Sequence, residues 1–211
     1  MPYLVIVKGN QISLEASFLK ELGNNLFKKY LLDSVDYSIN TYNKLFVKTK
    51  FYDGFVLYRK YSRKDVFRIL NWESNPVAQN VGGYIVSSDR SNSPLFVTLK
   101  KKEHISSSIK YDDRFINNAE FEMISKGSRY FSSPEIKLWM SDKNAVRIPL
   151  FIQKSNDEGI EFYYMGDVTP IVSGFVETTM QNDSKKKTSV VKVLFSMNQP
   201  VEDSIYNYFV D

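Results

Sequence analysis

The stretch "VRIPLFIQKSNDEGIEFYYMGDV", Val146 to Val168, decides the fold class. Two runs rich in β-branched and aromatic residues flank the small, polar "SNDEG" (155–159). That pattern reads as two strands joined by a hairpin loop. More segments of the same kind lie on either side. "GYIVSS" (83–88) and "LFVTLK" (95–100) read as strands joined by the turn-rich "DRSNSP". "IVSGFVETTM" (171–180) and "TSVVKVLFSM" (188–197) are separated by the turn "QNDSKKK". The sum is six or seven strands. A mostly antiparallel, closed or half-closed barrel is the natural way for them to hide their edges.

Helical signals interrupt and flank this pattern. In "YSRKDVFRILNW" (61–72), Ser62 followed by Asp65 resembles a capping box. Tyr61 and Val66 can staple the entry, and Val66, Ile69 and Leu70 form the expected buried stripe. Asn117 or Asn118 is expected to cap a short helix through Ile124. Ser133-Pro134-Glu135 opens another, with proline at the first helical position. "PVEDSIYNYFV" (200–210) reads as a closing helix. Upstream, "YLVIV" (3–7) suggests a strand. "SLEASFLKELGNNLFKKYLLDSV" (13–35) spaces its apolar residues as a helix does, with a break at Gly23. Asp53-Gly54 marks a turn. The expected class is therefore α+β: a β-rich, half-closed barrel with short inserted helices, residues 56–211, behind a helical N-terminal extension, residues 1–55.

Composition removes much of ordinary enzymology. The 211 residues hold no cysteine and one histidine, His104. Disulfides and thiolate metal sites are excluded, and a zinc site lacks ligands. No apolar run approaches the ~18 residues of a membrane span. "MPYLVIVKGNQ" lacks the basic start and small-residue cleavage site of a signal peptide. The expectation is a cytoplasmic protein with no cofactor, no metal and no catalytic residue. The chain is basic, with 28 Lys+Arg against 24 Asp+Glu, and carries 15 Phe, 14 Tyr and 2 Trp. Cations attract phosphates and flat rings offer stacking surfaces to bases. Gly82-Gly83 sits in the wrong context for a dinucleotide loop and reads as a close-approach or bulge site. One enzymatic alternative exists. Asp112-Asp113 followed by Glu135 and Lys137 could form a Mg²⁺-dependent nuclease site, although Ser133-Pro134 places Glu135 in a first helical turn. A third possibility is a protein-interaction or dimerisation domain using the aromatic surface.

Four separated segments agree in order with a known family: "LYRKYSRKDVFRILNW", "PLFVTLKKKEHISSSIKYDDRFI", "FEMISKGSRYFSSPEI" and "LFIQKSNDEGIEFYYMGDVTP". Over roughly residues 55–170 the chain resembles the C-terminal domain of helicase-fused type IV restriction enzymes of the SauUSI kind. The resemblance implies a target-recognition domain with an SRA-like barrel. Such a domain detects 5-methyl- or 5-hydroxymethylcytosine in duplex DNA by flipping the base. It also implies partner nuclease and helicase domains in the parent chain, and a possible homodimer through that parent; neither a nuclease nor a helicase motif occurs here. On the matching segments, Arg63, Lys64, Arg68, Lys126 and Arg129 are candidates for phosphate contacts. Trp72, Tyr84, Tyr111 and Phe115 are candidate stacking rings. Asp113 is a candidate acceptor for the cytosine amino group.

Overall fold

The computed structural model describes residues 4–46, 50–74, 76–77, 81–100, 113–141, 145–181 and 187–211, with the side chains of 45 and 46 left aside. The chain separates into two compact units, Met1–Lys50 and Phe51–Asp211.

The first unit begins with a hairpin, β1 (Val5–Lys8) and β2 (Gln11–Leu14). Here the sequence reading needs correction. Ser13 and Leu14 belong to β2 rather than to the helix, because they pair with Ile6 and Val5. Helix α1 (Ala16–Glu21) starts at the Glu15 carboxylate, which accepts from the amides of Ser17 and Phe18. The break at Gly23 is present. Helix α2 (Asn25–Phe46) restarts where Asn24 Oδ1 accepts from the Leu26 and Phe27 amides at 3.0 and 3.1 Å.

The second unit opens with β3 (Phe51–Tyr52) and β4 (Phe55–Val56). Their turn, Asp53-Gly54, has positive φ at both positions, 40° and 100°. Asparagine, aspartate and glycine suit that geometry. At Gly54 a Cβ would also lie 2.5 Å from Ile69 Cγ2. Gly54→Ala is therefore expected to destabilise this unit by about 1–3 kcal/mol, measurable as a lower urea midpoint at unchanged slope.

Then follow β5 (Lys60–Ser62), α3 (Arg63–Ile69), β6 (Leu95–Lys100), β7 (Arg114–Asn117), β8 (Glu120–Ile124) and α4 (Pro134–Met140). The chain continues through β9 (Pro149–Ser155), β10 (Glu161–Pro170), β11 (Val176–Gln181), β12 (Lys187–Met197) and α5 (Asp203–Val210). Among the described residues, eight strands form one sheet. Its path is β6-β9-β10-β12-β8-β7, with β5 also on β10 and β11 also on β12. All pairs are antiparallel except β6 with β9. Strand β10 makes the bend that curls the sheet. It pairs with β9 from Tyr163 to Asp167 across a bulge between Tyr164 and Gly166, with β5 over residues 161–163 and with β12 over residues 168–170. The result is the nearly closed, barrel-like, mixed α/β architecture expected.

Two apolar clusters hold it. Along β6 and β9, Leu95, Val97, Leu150 and Ile152 face the larger one, with Phe121, Trp139, Val191 and Phe195. Phe96 and Phe151 point the other way, into an aromatic cluster with Phe55, Tyr61, Phe67, Phe162 and Tyr164. Because side chains alternate across a strand, burial on both faces explains the unbroken apolar run "PLFI" in the deciding stretch.

Three expectations fail for visible reasons. Residues 83–88 form no strand; only a Tyr84–Leu95 bridge pairs them with β6, and Gly82 and Gly83 have positive φ. Residues 117–124 are not a helix. Asn117 Oδ1 accepts from the Ala119 amide at 2.8 Å, making a turn, and Phe121 and Met123 then alternate inward on β8. In α3 the buried pair is Val66 and Phe67, while Ile69 is exposed. Phe67 stacks on Trp72 at 4.8 Å and meets Phe96 edge-on, which fixes the helix by that side.

Candidate functional site

Strand β6 begins the sheet path and β8-β7 ends it, and among the described residues these two ends do not pair. A cavity of about 420 Å³ occupies this seam. One wall is Phe96, Val97 and Thr98 of β6. The other is Met123 and Ile124 of β8, with Asp113 just ahead of β7. Gly82, Gly83 and Tyr84 form the third side, and Arg63 and Lys126 complete it. The structure thus gathers four residues singled out in the sequence: Arg63, Tyr84, Asp113 and Lys126.

Local structure places each of them. The Asp113 Oδ1 accepts from the Ile124 amide at 2.9 Å, so the carboxylate pins the start of β7 to the end of β8. Tyr84 is almost fully buried, its ring edge-on to Trp139 at 4.8 Å. Its hydroxyl donates to Glu135 Oε1 at 3.2 Å and accepts from the Lys126 amide at 3.3 Å. Burial, the largest influence, pushes the Tyr84 phenol well above its ordinary pKa, so it acts as a neutral donor.

Lys126 is a clasp rather than a free cation. Its ammonium donates to the carbonyls of Val81 and Tyr84 at 3.0 and 2.8 Å, and lies 4.6 Å from the Tyr84 ring centre. Gly83 in turn accepts from the Phe96 amide at 2.6 Å. The chain after β8 is thereby tied across the seam to β6. Burial, then Arg129, lowers the Lys126 pKa.

Arg63 leaves α3 and lays its guanidinium over two rings, 4.5 Å from the centre of Phe162 and 5.2 Å from that of Phe96. Its Nε is buried without a hydrogen-bond partner, and no carboxylate among the described residues pairs with it. Burial lowers its pKa, but an arginine remains charged.

The remaining expected residues lie elsewhere. Lys64 and Arg68 are exposed on α3, and Arg68 comes within 3.8 Å of Asp65. Arg129 pairs with Glu135 at the start of α4. Trp72 stacks on Phe67 and lines a separate groove of about 580 Å³ with Ile85 and Asn92. Phe115 is core, packed on Phe121, Tyr206 and Phe209. The structure therefore does not bring Trp72 or Phe115 to the seam. Tyr111, like Asp112 and His104, lies outside the described residues. Phe96 was missed, although its place between Leu95 and Val97 in a strand assigns it the opposite face. The role of Glu135 was missed too. As the helix signals required, it opens α4, and its carboxylate is shared by Arg129 and Tyr84. Among the described residues, no group of three or more acidic or histidine side chains could hold a metal.

The Glu135 arrangement predicts an acid response. Burial raises its pKa, but its own helix-start amide and Arg129 outweigh burial, and the net value is below 4.5. A depressed carboxylate contributes stability that is fully present above about 4.5 and is lost as pH falls through the folded value. Urea midpoints of the wild type should therefore drop below that pH. In Glu135→Gln this part of the drop should be missing.

The family described as "Domain of unknown function (DUF3427)" has a model that matches residues 55–209. No curated protein matches the chain. Three solved structures are similar at low identity. The "DNA modification-dependent restriction endonuclease AspBHI" is 12% identical, with 54% of this chain and 33% of that chain covered and a TM-score of 0.39. The sulfur binding domain and SRA domain of ScoMcrA, complexed with phosphorothioated DNA, give 7%, 73% and 44%, and 0.43. Arabidopsis thaliana SUVH6 in complex with SAM gives 11%, 82% and 34%, and 0.44. The chain spans less than half the length of each. With the family model running from the start of β4 almost to the end of α5, the chain belongs to the DUF3427 family.

Proposed function

We propose that residues 51–211 form a DNA-recognition module that binds duplex DNA carrying 5-methyl- or 5-hydroxymethylcytosine and draws the modified base into the seam cavity. The observation that carries this reading is the composition of the seam. Flat rings, Phe96 and Tyr84, meet a carboxylate, Asp113, in a hollow larger than one pyrimidine. An extruded base needs ring or apolar surface for its faces and polar groups for its edge. A carboxylate suits the cytosine amino group, and the Ile124 amide holds Asp113 in place at the cavity wall. The sequence resemblance to type IV restriction enzymes points the same way.

In this reading Lys64 and Arg68, exposed on α3 beside the cavity residue Arg63, contact phosphates. Such contacts give affinity without sequence information. The module recognises its target and leaves cutting to nuclease and helicase domains of a parent chain, itself a cytoplasmic protein that can dimerise. Among the described residues no helix is long and apolar enough to cross a membrane.

A fluorescent purine analogue beside the modified cytosine tests extrusion, since unstacking raises its emission. We expect a rise with wild type and a much smaller one with Asp113→Asn, which keeps the Oδ1 acceptor for Ile124. No rise at saturating protein would refute base extrusion.

A further inference from the structure

We infer that Arg63 makes the cavity selective for a cytosine whose C5 substituent is anionic, a carboxyl group, over one carrying a neutral methyl. This rests on the base-extrusion reading above and moves Arg63 from the backbone-contact set into the pocket itself. Three observations converge. First, the cavity of about 420 Å³ leaves room beyond a pyrimidine ring for a branched substituent. Second, among the described residues two cations, Arg63 and Lys126, and one carboxylate, Asp113, line it. Lys126 spends its ammonium on the carbonyls of Val81 and Tyr84. Asp113 is bonded to the Ile124 amide. Third, Arg63 has no counter-ion among the described residues, and its Nε is buried without a partner.

A half-buried cation supported only by ring faces is an incomplete arrangement. The faces of Phe96 and Phe162 hold the guanidinium plane in position, but they satisfy none of its N–H donors. Burying a charge without a partner is costly, and an anion with two oxygens relieves that cost best. A guanidinium fork matches a carboxylate in a way that a methyl group cannot exploit. The two walls also divide the work. Arg63 rests against β6 and β10 through its rings, and Asp113 is tied to β8. An acidic substituent therefore has a cation on one wall, and the amino group a carboxylate on the other.

The test is a set of competition titrations at fixed salt. The duplexes are identical but for one cytosine, which is unmodified, 5-methyl or 5-carboxyl. Wild type should favour the carboxyl duplex over the methyl duplex by about tenfold or more, the size of one charge-assisted contact. Arg63→Gln should reduce that ratio to about one, and Arg63→Lys, which keeps the charge, should restore part of it. Thermal unfolding of each variant establishes that it is folded. A methyl duplex bound as tightly as the carboxyl one, or a ratio unchanged in Arg63→Gln, would overturn the inference while leaving base recognition standing. If Arg63→Gln weakens all three duplexes alike, and methylphosphonate links beside the target abolish that difference, Arg63 is a backbone contact and the inference fails. Equal binding of all three duplexes by wild type would instead remove the recognition reading beneath it.

Discussion

Trp139→Ala is expected to cost about 3–5 kcal/mol, the usual range for a fully buried aromatic. Trp139 is 1% exposed and sits on α4 at the centre of the larger cluster. Its ring meets Tyr84 at 4.8 Å and Phe195 at 5.9 Å, so it props the cavity wall against the barrel interior. Its indole N–H donates to the hydroxyl of Ser93, which is itself fully buried. Truncation leaves a cavity and also strands that hydroxyl. Set against the 5–15 kcal/mol typical of a domain, the loss removes a large share of the margin. Urea unfolding should show it directly. Trp139→Phe keeps one six-membered ring but loses the rest of the indole with its N–H, so it should cost less than alanine, about 2–3 kcal/mol. A Trp139→Ala midpoint near wild type would mean that α4 is not docked as described.

Lys126→Met separates two meanings of a lysine in a basic loop. As a phosphate contact, its loss would weaken all DNA equally and lower the salt slope by about one. As a clasp, its loss frees the carbonyls of Val81 and Tyr84 and loosens the segment that carries Gly83 and Tyr84. The geometry favours the clasp. We expect a stability loss of about 2 kcal/mol, since hydrogen bonds to a charge contribute more than neutral ones and relief of the buried ammonium offsets part. Amide exchange at Tyr84 and Phe96 should accelerate. Discrimination between modified and unmodified duplex should fall, and the salt slope should stay unchanged.

What the sequence made legible follows from the range of each interaction. Strands β9, β10 and β12 were readable because their apolar runs are long and their turns are marked by small polar residues. Helices α3 and α4 were readable because serine caps and Pro134 are local devices. Residues 117–124 misled because an asparagine that turns a hairpin looks like one that caps a helix. Arg63, Tyr84, Asp113 and Lys126 stand out in the sequence by their chemistry, but nothing local in it tells that they share one hollow. Their meeting depends on β6 and the β8-β7 pair lying at opposite ends of the sheet path, a long-range fact. Trp72 illustrates the converse. Its aromatic character was plain, but only packing reveals that its ring lies on Phe67.

Recognition of a modified base comes down to one measurement. Competition binding of wild-type protein should compare a duplex carrying a single 5-methyl- or 5-hydroxymethylcytosine with the same unmodified duplex, at matched salt and in several flanking sequences. One small substituent in a fitted pocket is worth about tenfold or more, and that preference for the modified duplex is the predicted result. Equal affinity in every context would contradict it.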